Sequence, residues 1–133
     1  MTGARVPSNV FSMYDIIAVL IALIHLYVFF LESIAWGKPK TNRAFGMKPD
    51  EAKINAVMAF NQGFYNLFLT IQVVIGLIAL NIGRIEAGRA LIDYAIASVF
   101  AAGLVLFFSA PKLKRAALIQ CIPAVLYWAL RLL

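Results

Sequence analysis

Residues 16–31 read IIAVLIALIHLYVFFL, and this stretch decides which kind of fold the chain can adopt. It lies in an apolar segment over about 13–36, and three more apolar segments follow at about 55–80, 91–109 and 116–133. Each segment is close to the ~20 residues with which an α-helix crosses a bilayer. A backbone surrounded by lipid must satisfy its own hydrogen bonds, which only a helix or a closed barrel achieves. The sequence therefore predicts four membrane-spanning helices.

Composition supports this prediction and excludes several other classes of protein. Of the 133 residues, 63% are hydrophobic and 14% charged, and the mean hydropathy is +0.88. A water-soluble domain of this length cannot bury so much apolar surface, and a disordered chain would be far more polar. The single cysteine, Cys121, excludes a disulfide scaffold. We expect a single integral membrane domain over residues 1–133.

The first apolar segment is expected to remain in the mature protein. It is too long for the apolar core of a cleavable signal peptide, and one basic residue, Arg5, precedes it. The connections between the segments are short, so neighbouring helices should run antiparallel. The predicted fold is therefore all-α, a four-transmembrane-helix bundle with up-down connectivity. In the first connection, Pro49, Asp50 and Glu51 fit the first turn of a helix.

The basic residues predict the orientation of the bundle. The formal net charge is +6, but the basic residues lie in short segments between apolar runs, which argues against a nucleic-acid partner and for a lipid bilayer. The first and third connections hold eight of them: Lys38, Lys40, Arg43, Lys48, Lys53, Lys112, Lys114 and Arg115. The remaining four are Arg5, Arg84, Arg89 and Arg131. Because excess Lys and Arg stays cytoplasmic, both termini are predicted to lie outside the cytoplasm.

Polar residues inside the apolar segments are the candidate site, because they are costly in lipid and usually face the bundle interior. Helix geometry places groups from three helices at matching depths in the cytoplasmic half of the bilayer. The predicted ligand-binding residues are His25, Glu32, Asn61, Gln62, Tyr65, Asn66 and Gln120.

The spacing of these residues suggests which helix faces they occupy. His25 and Glu32 are seven residues apart and share one face of the first helix, so His25 is the expected partner of Glu32 or Tyr65. On the second helix, Asn61, Tyr65 and Gln72 share a stripe, whereas Gln62 and Asn66 form a neighbouring pair. The alternative is that these amides are only interhelical hydrogen bonds, and that Glu32 meets a lysine of the first connection. Trp36 is expected in the interfacial belt.

Several chemistries are not supported. With one histidine and one cysteine, the sequence offers no set of ligands for zinc, a haem pair or an iron–sulfur cluster, so no metal site is expected. Neither a glycine-rich phosphate loop nor a nucleophile-elbow motif is present. The sequence implies no particular cofactor.

Four strings of residues carry a resemblance to a known family. They are HLYVFFLESIAW at 25–36, FG at 45–46, NQGFYNLFL at 61–69 and IQCIPA at 119–124. Together they resemble the small bacterial membrane proteins grouped as domain of unknown function 1304, from about Tyr14 onward. The family pattern has an acid before the histidine, a glycine after Tyr-Asn and a glycine after the late Leu-Gln; this chain has Ile24, Leu67 and Cys121 there. The resemblance implies four helices in a bacterial inner membrane, and its motifs coincide with the polar cluster.

Three hypotheses of function follow. The first is a polar intramembrane pocket in the cytoplasmic half that binds a small or lipophilic molecule, with transport, as in a compact exporter, as an extension. The second is an accessory subunit that docks against other membrane proteins, or against further copies of itself. The third is an intramembrane enzyme in which His25 and Glu32 act as acid and base.

Overall fold

The computed structural model describes residues 11–133 of the chain. Arg5, which was counted for the orientation, lies outside the described residues. Residues 11–133 form six α-helices: α1 Met13–Phe29, α2 Pro39–Ala44, α3 Pro49–Ile54, α4 Ala56–Asn81, α5 Ile85–Ser109 and α6 Lys114–Leu132. A π-helical turn, Phe30–Ile34, continues α1, and a 3-10 turn, Pro111–Leu113, precedes α6. No strand occurs between residues 11 and 133.

Four of these helical segments are long and apolar enough to cross a membrane: Met13–Ile34, Ala56–Asn81, Ile85–Ser109 and Pro111–Leu132. α4 packs between α1 and α5, and α6 packs between α5 and α1, so each long helix contacts the next and the last closes on the first. The start of α4 meets the end of α1, and the end of α6 meets the start of α1. The predicted up-down bundle of four antiparallel helices is confirmed.

Small residues allow the long helices to approach closely. A Cβ built on Gly88 of α5 would lie 2.7 Å from the carbonyl oxygen of Gly76 on α4, and one built on Gly76 would lie 2.9 Å from the carbonyl oxygen of Gly88. A Cβ on Gly63 would collide with the side chain of Ser33 on the π-helical turn. Small residues at crossings are expected in a membrane bundle, where van der Waals packing rather than hydrophobic burial holds the helices together.

The first connection is more ordered than a loop. The predicted helix start at Pro49 is confirmed by α3, where the Lys48 N–H donates to Glu51 Oε2 at 2.8 Å. Trp36 follows the end of the first span by two residues, and its place in the interfacial belt stays a prediction. Its indole Nε1 donates to the Ala52 carbonyl at 2.8 Å and its ring packs edge-on against Phe45, so it ties the connection together.

The third long helix differs most from its predicted bounds. α5 begins at Ile85, whereas the apolar segment begins at about residue 91. The extra turns contain Arg89, which the sequence analysis counted in a connection. A charged residue ends an apolar run but does not end a helix, particularly when another helix supplies its partner.

Candidate functional site

Glu32 is the central residue of the candidate site. It lies on the π-helical turn Phe30–Ile34, and only 9% of its surface is exposed. Asn66 of α4 donates from Nδ2 to Glu32 Oε2 at 2.8 Å and to the Gln62 carbonyl at 3.0 Å. The second bond holds the amide in place, so the carboxylate meets a preoriented donor. The structure thus brings Glu32 and Asn66 together across the α1–α4 interface.

The π-helical turn shapes this interface. Ala35 N–H donates to the Phe30 carbonyl, five residues back, at 2.8 Å. This wider turn lets two consecutive side chains reach α4: Glu32 bonds Asn66, and Ser33 Oγ donates to the Phe60 carbonyl at 3.0 Å. Single π-helical turns within α-helices are frequent at functional sites. The π-helical turn therefore contains Glu32, the acid that contacts α4.

His25 lies on the same face of α1 but takes a different partner. It is buried, and its Nδ1 lies 2.9 Å from the Ile21 carbonyl of the same helix. The expected pairing of His25 with Glu32 or Tyr65 is therefore not observed, since Glu32 bonds Asn66 and Tyr65 is 63% exposed. A histidine that bonds the carbonyl one turn back needs no partner on another helix.

The other predicted site residues are divided between the two faces of their helices. Asn61, Gln62 and Tyr65 have exposed side chains, and the structure does not bring them to Glu32. Gln120 is half-buried beside Gly103, where its Cβ lies 3.4 Å from a Cβ built on the glycine. The buried line of α4 consists of Ala59, Gly63, Thr70, Val73, Gly76 and Leu80. Asn66 lies on this line, three residues after Gly63 and four before Thr70, and it is half-buried.

Two further polar contacts act as interhelical hydrogen bonds. Thr70 Oγ1 donates to the Ala22 carbonyl of α1 at 3.1 Å, and Gln72 Nε2 donates to the Leu91 carbonyl of α5 at 3.1 Å. Gln72 thus holds α4 against α5, on a different side from Asn66. The proposed stripe of Asn61, Tyr65 and Gln72 does not converge on one partner.

A group of ionised residues that the sequence patterns do not predict lies at the opposite end of the bundle. Asp15 of α1 is fully buried and accepts from both terminal nitrogens of Arg89, with Nη2 3.0 Å from Oδ2. The guanidinium also lies over the ring of Tyr14 at 4.7 Å. The signal was present in the sequence, because an aspartate so close to an apolar run requires a partner.

Asp93 of α5 extends this group to α6. It accepts from the hydroxyl of the buried Tyr127 at 2.8 Å and forms an ion pair with Arg131. Tyr127 in turn packs edge-on against Tyr14, with ring centroids 5.7 Å apart. The group therefore ties the first and last long helices to α5, and it contains two acids and two arginines.

These contacts distinguish Glu32 from the other acids that face the interior. Asp15 and Asp93 each have an arginine, whereas the hydrogen-bond donor to Glu32 is a neutral amide, and no cation lies within ion-pair distance of it in residues 11–133. The alternative in which Glu32 meets a lysine of the first connection is not observed there. No group of three or more potential metal ligands occurs in that part of the chain either.

Four apolar helices, each long enough to cross a membrane, with polar groups on their inner faces indicate an integral membrane helix bundle. The chain belongs to the family described as "Protein of unknown function (DUF1304)", whose model matches residues 19–132. The resemblance found in the sequence is thereby confirmed, and the match includes Glu32 and Asn66. No curated protein and no solved structure matches the chain.

Proposed function

We propose that the protein binds a small or lipophilic molecule at Glu32, between the π-helical turn and α4, and that the bound group is a cation or another hydrogen-bond donor. One observation carries the proposal: Glu32 is nine-tenths buried, yet its partner is an amide and not a cation. An ionised group in an apolar environment is stabilised by a charged partner. A positively charged ligand would be such a partner.

The geometry favours binding over acid–base catalysis. His25 and Glu32 bond different partners, on α1 and α4 respectively. An acid–base pair would require both groups to reach the same reacting atoms. The accessory-subunit hypothesis and transport both stay predictions, and our proposal concerns binding alone.

The proposal is tested with three amphiphiles of equal chain length: decylamine, decanol and decanoate. The protein is reconstituted in nanodiscs, and its thermal unfolding midpoint is measured with each compound. We expect decylamine to raise the midpoint by several degrees, since ~1 kcal/mol of binding energy corresponds to about 4 °C in a chain of this size. Decanoate should give no gain, because its charge repels Glu32.

Glu32→Gln is the decisive variant. The new amide oxygen can still accept from Asn66, so the helix contact is kept while the negative charge is removed. The gain from decylamine should disappear in Glu32→Gln and persist in Glu86→Gln, which removes an exposed glutamate at the start of α5. An equal gain in both variants, or no response to any of the amphiphiles, would contradict the proposal.

A further inference from the structure

The net charge of this protein is concentrated at one end of the bundle. We define the basic end as the first connection, residues 37–55, with the third connection and the first two residues of α6, residues 110–115. It carries eight exposed basic residues and two acids, Asp50 and Glu51, a formal excess of six positive charges. The rest of the chain has four basic and four acidic residues, so it is formally neutral.

The two acids of the basic end are already engaged. Asp50 Oδ1 lies 3.8 Å from the Lys53 ammonium group, and Glu51 accepts the Lys48 N–H at the start of α3. At the opposite end, by contrast, Arg89 and Arg131 are paired with buried or half-buried aspartates. The positive field of the molecule therefore comes from the basic end, where all eight basic residues are exposed.

The two connections also form a groove. Residues 45–47, Glu51 and Asn55 line one side and residues 110–113 the other, around a space of about 510 Å³. Met47 and Leu113 give it an apolar part, whereas Lys112 and Asn55 supply donors. The groove lies directly beyond the ends of two spanning helices, at Ala56 and Ser109. Segments this close to a span lie at the depth of the lipid headgroups.

We infer that this groove, with the surrounding basic residues, binds the headgroup of an anionic phospholipid from the bilayer around the protein. Lys112 meets the phosphate, and the apolar part of the groove takes the glycerol end of the acyl chains. Charge complementarity favours an anionic lipid, because basic clusters next to a membrane span attract such headgroups. Depth favours a lipid over a soluble acidic partner, because the bilayer places phosphates beside the groove at high local concentration.

The chain contains its own reporter for a test. There are two tryptophans: Trp36 packs against Phe45 of the groove, with ring centroids 5.2 Å apart, and Trp128 packs against Phe100 nearer the opposite end. In Trp128→Phe the remaining indole therefore reports on the basic end. The protein is reconstituted in phosphatidylcholine vesicles that contain rising fractions of acyl-brominated phosphatidylglycerol or acyl-brominated phosphatidylcholine, and quenching of Trp36 is measured.

Brominated phosphatidylglycerol should quench Trp36 at a several-fold lower mole fraction than brominated phosphatidylcholine. Lys112→Gln, made in the same background, should reduce this preference by up to about fivefold, the effect of one basic residue at an anionic surface. Lys112→Arg should keep it, and salt at ~1 M should weaken it. Arg84→Gln removes an exposed basic residue from the opposite end of the bundle and should change nothing.

The opposite tryptophan supplies the internal control. In Trp36→Phe, Trp128 should be quenched equally by the two brominated lipids. Equal quenching of Trp36 by both lipids would overturn the inference and leave the basic residues to determine orientation alone. A preference that Lys112→Gln and Arg84→Gln lower to the same extent would also overturn it, because the groove would then contribute nothing beyond overall charge.

Discussion

Three acids face the interior of the bundle, and their partners differ. Asp15 holds Arg89 at a fully buried position, Asp93 bridges Tyr127 and Arg131, and Glu32 accepts from Asn66. In lipid, the strength of such contacts depends on how completely water is excluded from them. Asp15 is therefore expected to contribute most to stability, and Glu32 is the acid that we propose as the ligand site.

Asp15→Asn tests the first part of this ranking. The substitution leaves Arg89 facing a neutral amide in a buried position, and removing one partner of a buried pair typically costs ~3–5 kcal/mol. Asp93→Asn should cost less, because the side chain of Asp93 is 31% exposed. Equilibrium unfolding in detergent micelles measures both values.

Glu86→Gln is the matched control for Asp15→Asn. The side chain of Glu86 is exposed at the start of α5, so the free energy of unfolding of this variant should stay within about 0.5 kcal/mol of that of the unmodified protein. If Asp15→Asn behaves like this control, the buried pair does not stabilise the bundle.

At the level of helices, the α4–α5 contact depends on two glycines that face each other. A Cβ on Gly88 would meet the Gly76 carbonyl oxygen at 2.7 Å and the Leu80 side chain at 2.9 Å. A carbonyl on a packed helix cannot move as a flexible side chain can. The two helices must therefore separate to accept any larger residue.

Gly88→Ala should destabilise the protein by about 1–3 kcal/mol, the usual cost of overpacking a tight contact. The sign of the change in stability is informative, because alanine is a better helix former than glycine by about 1 kcal/mol. Alanine would therefore stabilise α5 if this position had open space beside it. The unfolding midpoint in micelles measures the effect. Ala101→Leu on an exposed position of the same helix should leave the midpoint unchanged, and a stabilised Gly88→Ala variant would contradict the close approach.

Helix faces show how far the candidate site could be predicted from sequence. Glu32 and Asn66 are both polar residues in apolar segments, and they do meet. Asn61, Gln62 and Tyr65 satisfy the same criterion but are exposed. In water, hydrophobic periodicity separates an inner from an outer face, but in lipid both faces are apolar, so this signal is lost.

For the whole molecule, the uneven charge distribution is the basis of the predicted orientation. The formal excess of six positive charges lies at one end, and the rest of the chain is formally neutral. Excess basic residues stay on the cytoplasmic side during insertion. The basic end, and with it the Glu32–Asn66 contact, is therefore predicted to lie toward the cytoplasm, with both termini outside.

Cysteine labelling tests this orientation. In a Cys121→Ser background, Arg84→Cys should react with a membrane-impermeant maleimide in intact cells, since it lies in the exposed second connection. Lys40→Cys, exposed on α2, should react only after the membrane is permeabilised. The reverse pattern would invert the bundle and place Glu32 in the outer half of the bilayer.

The pattern of apolar residues is enough to predict a lipid environment and four membrane-spanning helices, because a helix that crosses a bilayer has a required length. The short connections predict that neighbouring helices run antiparallel. Neither feature predicts which polar residues meet. Asp15 and Arg89 are 74 residues apart, and Glu32 and Asn66 are 34 apart. Those pairs depend on how each helix is rotated about its axis. Close contacts such as Gly76 with Gly88 determine that rotation, and hydropathy does not, because lipid accepts every apolar face equally.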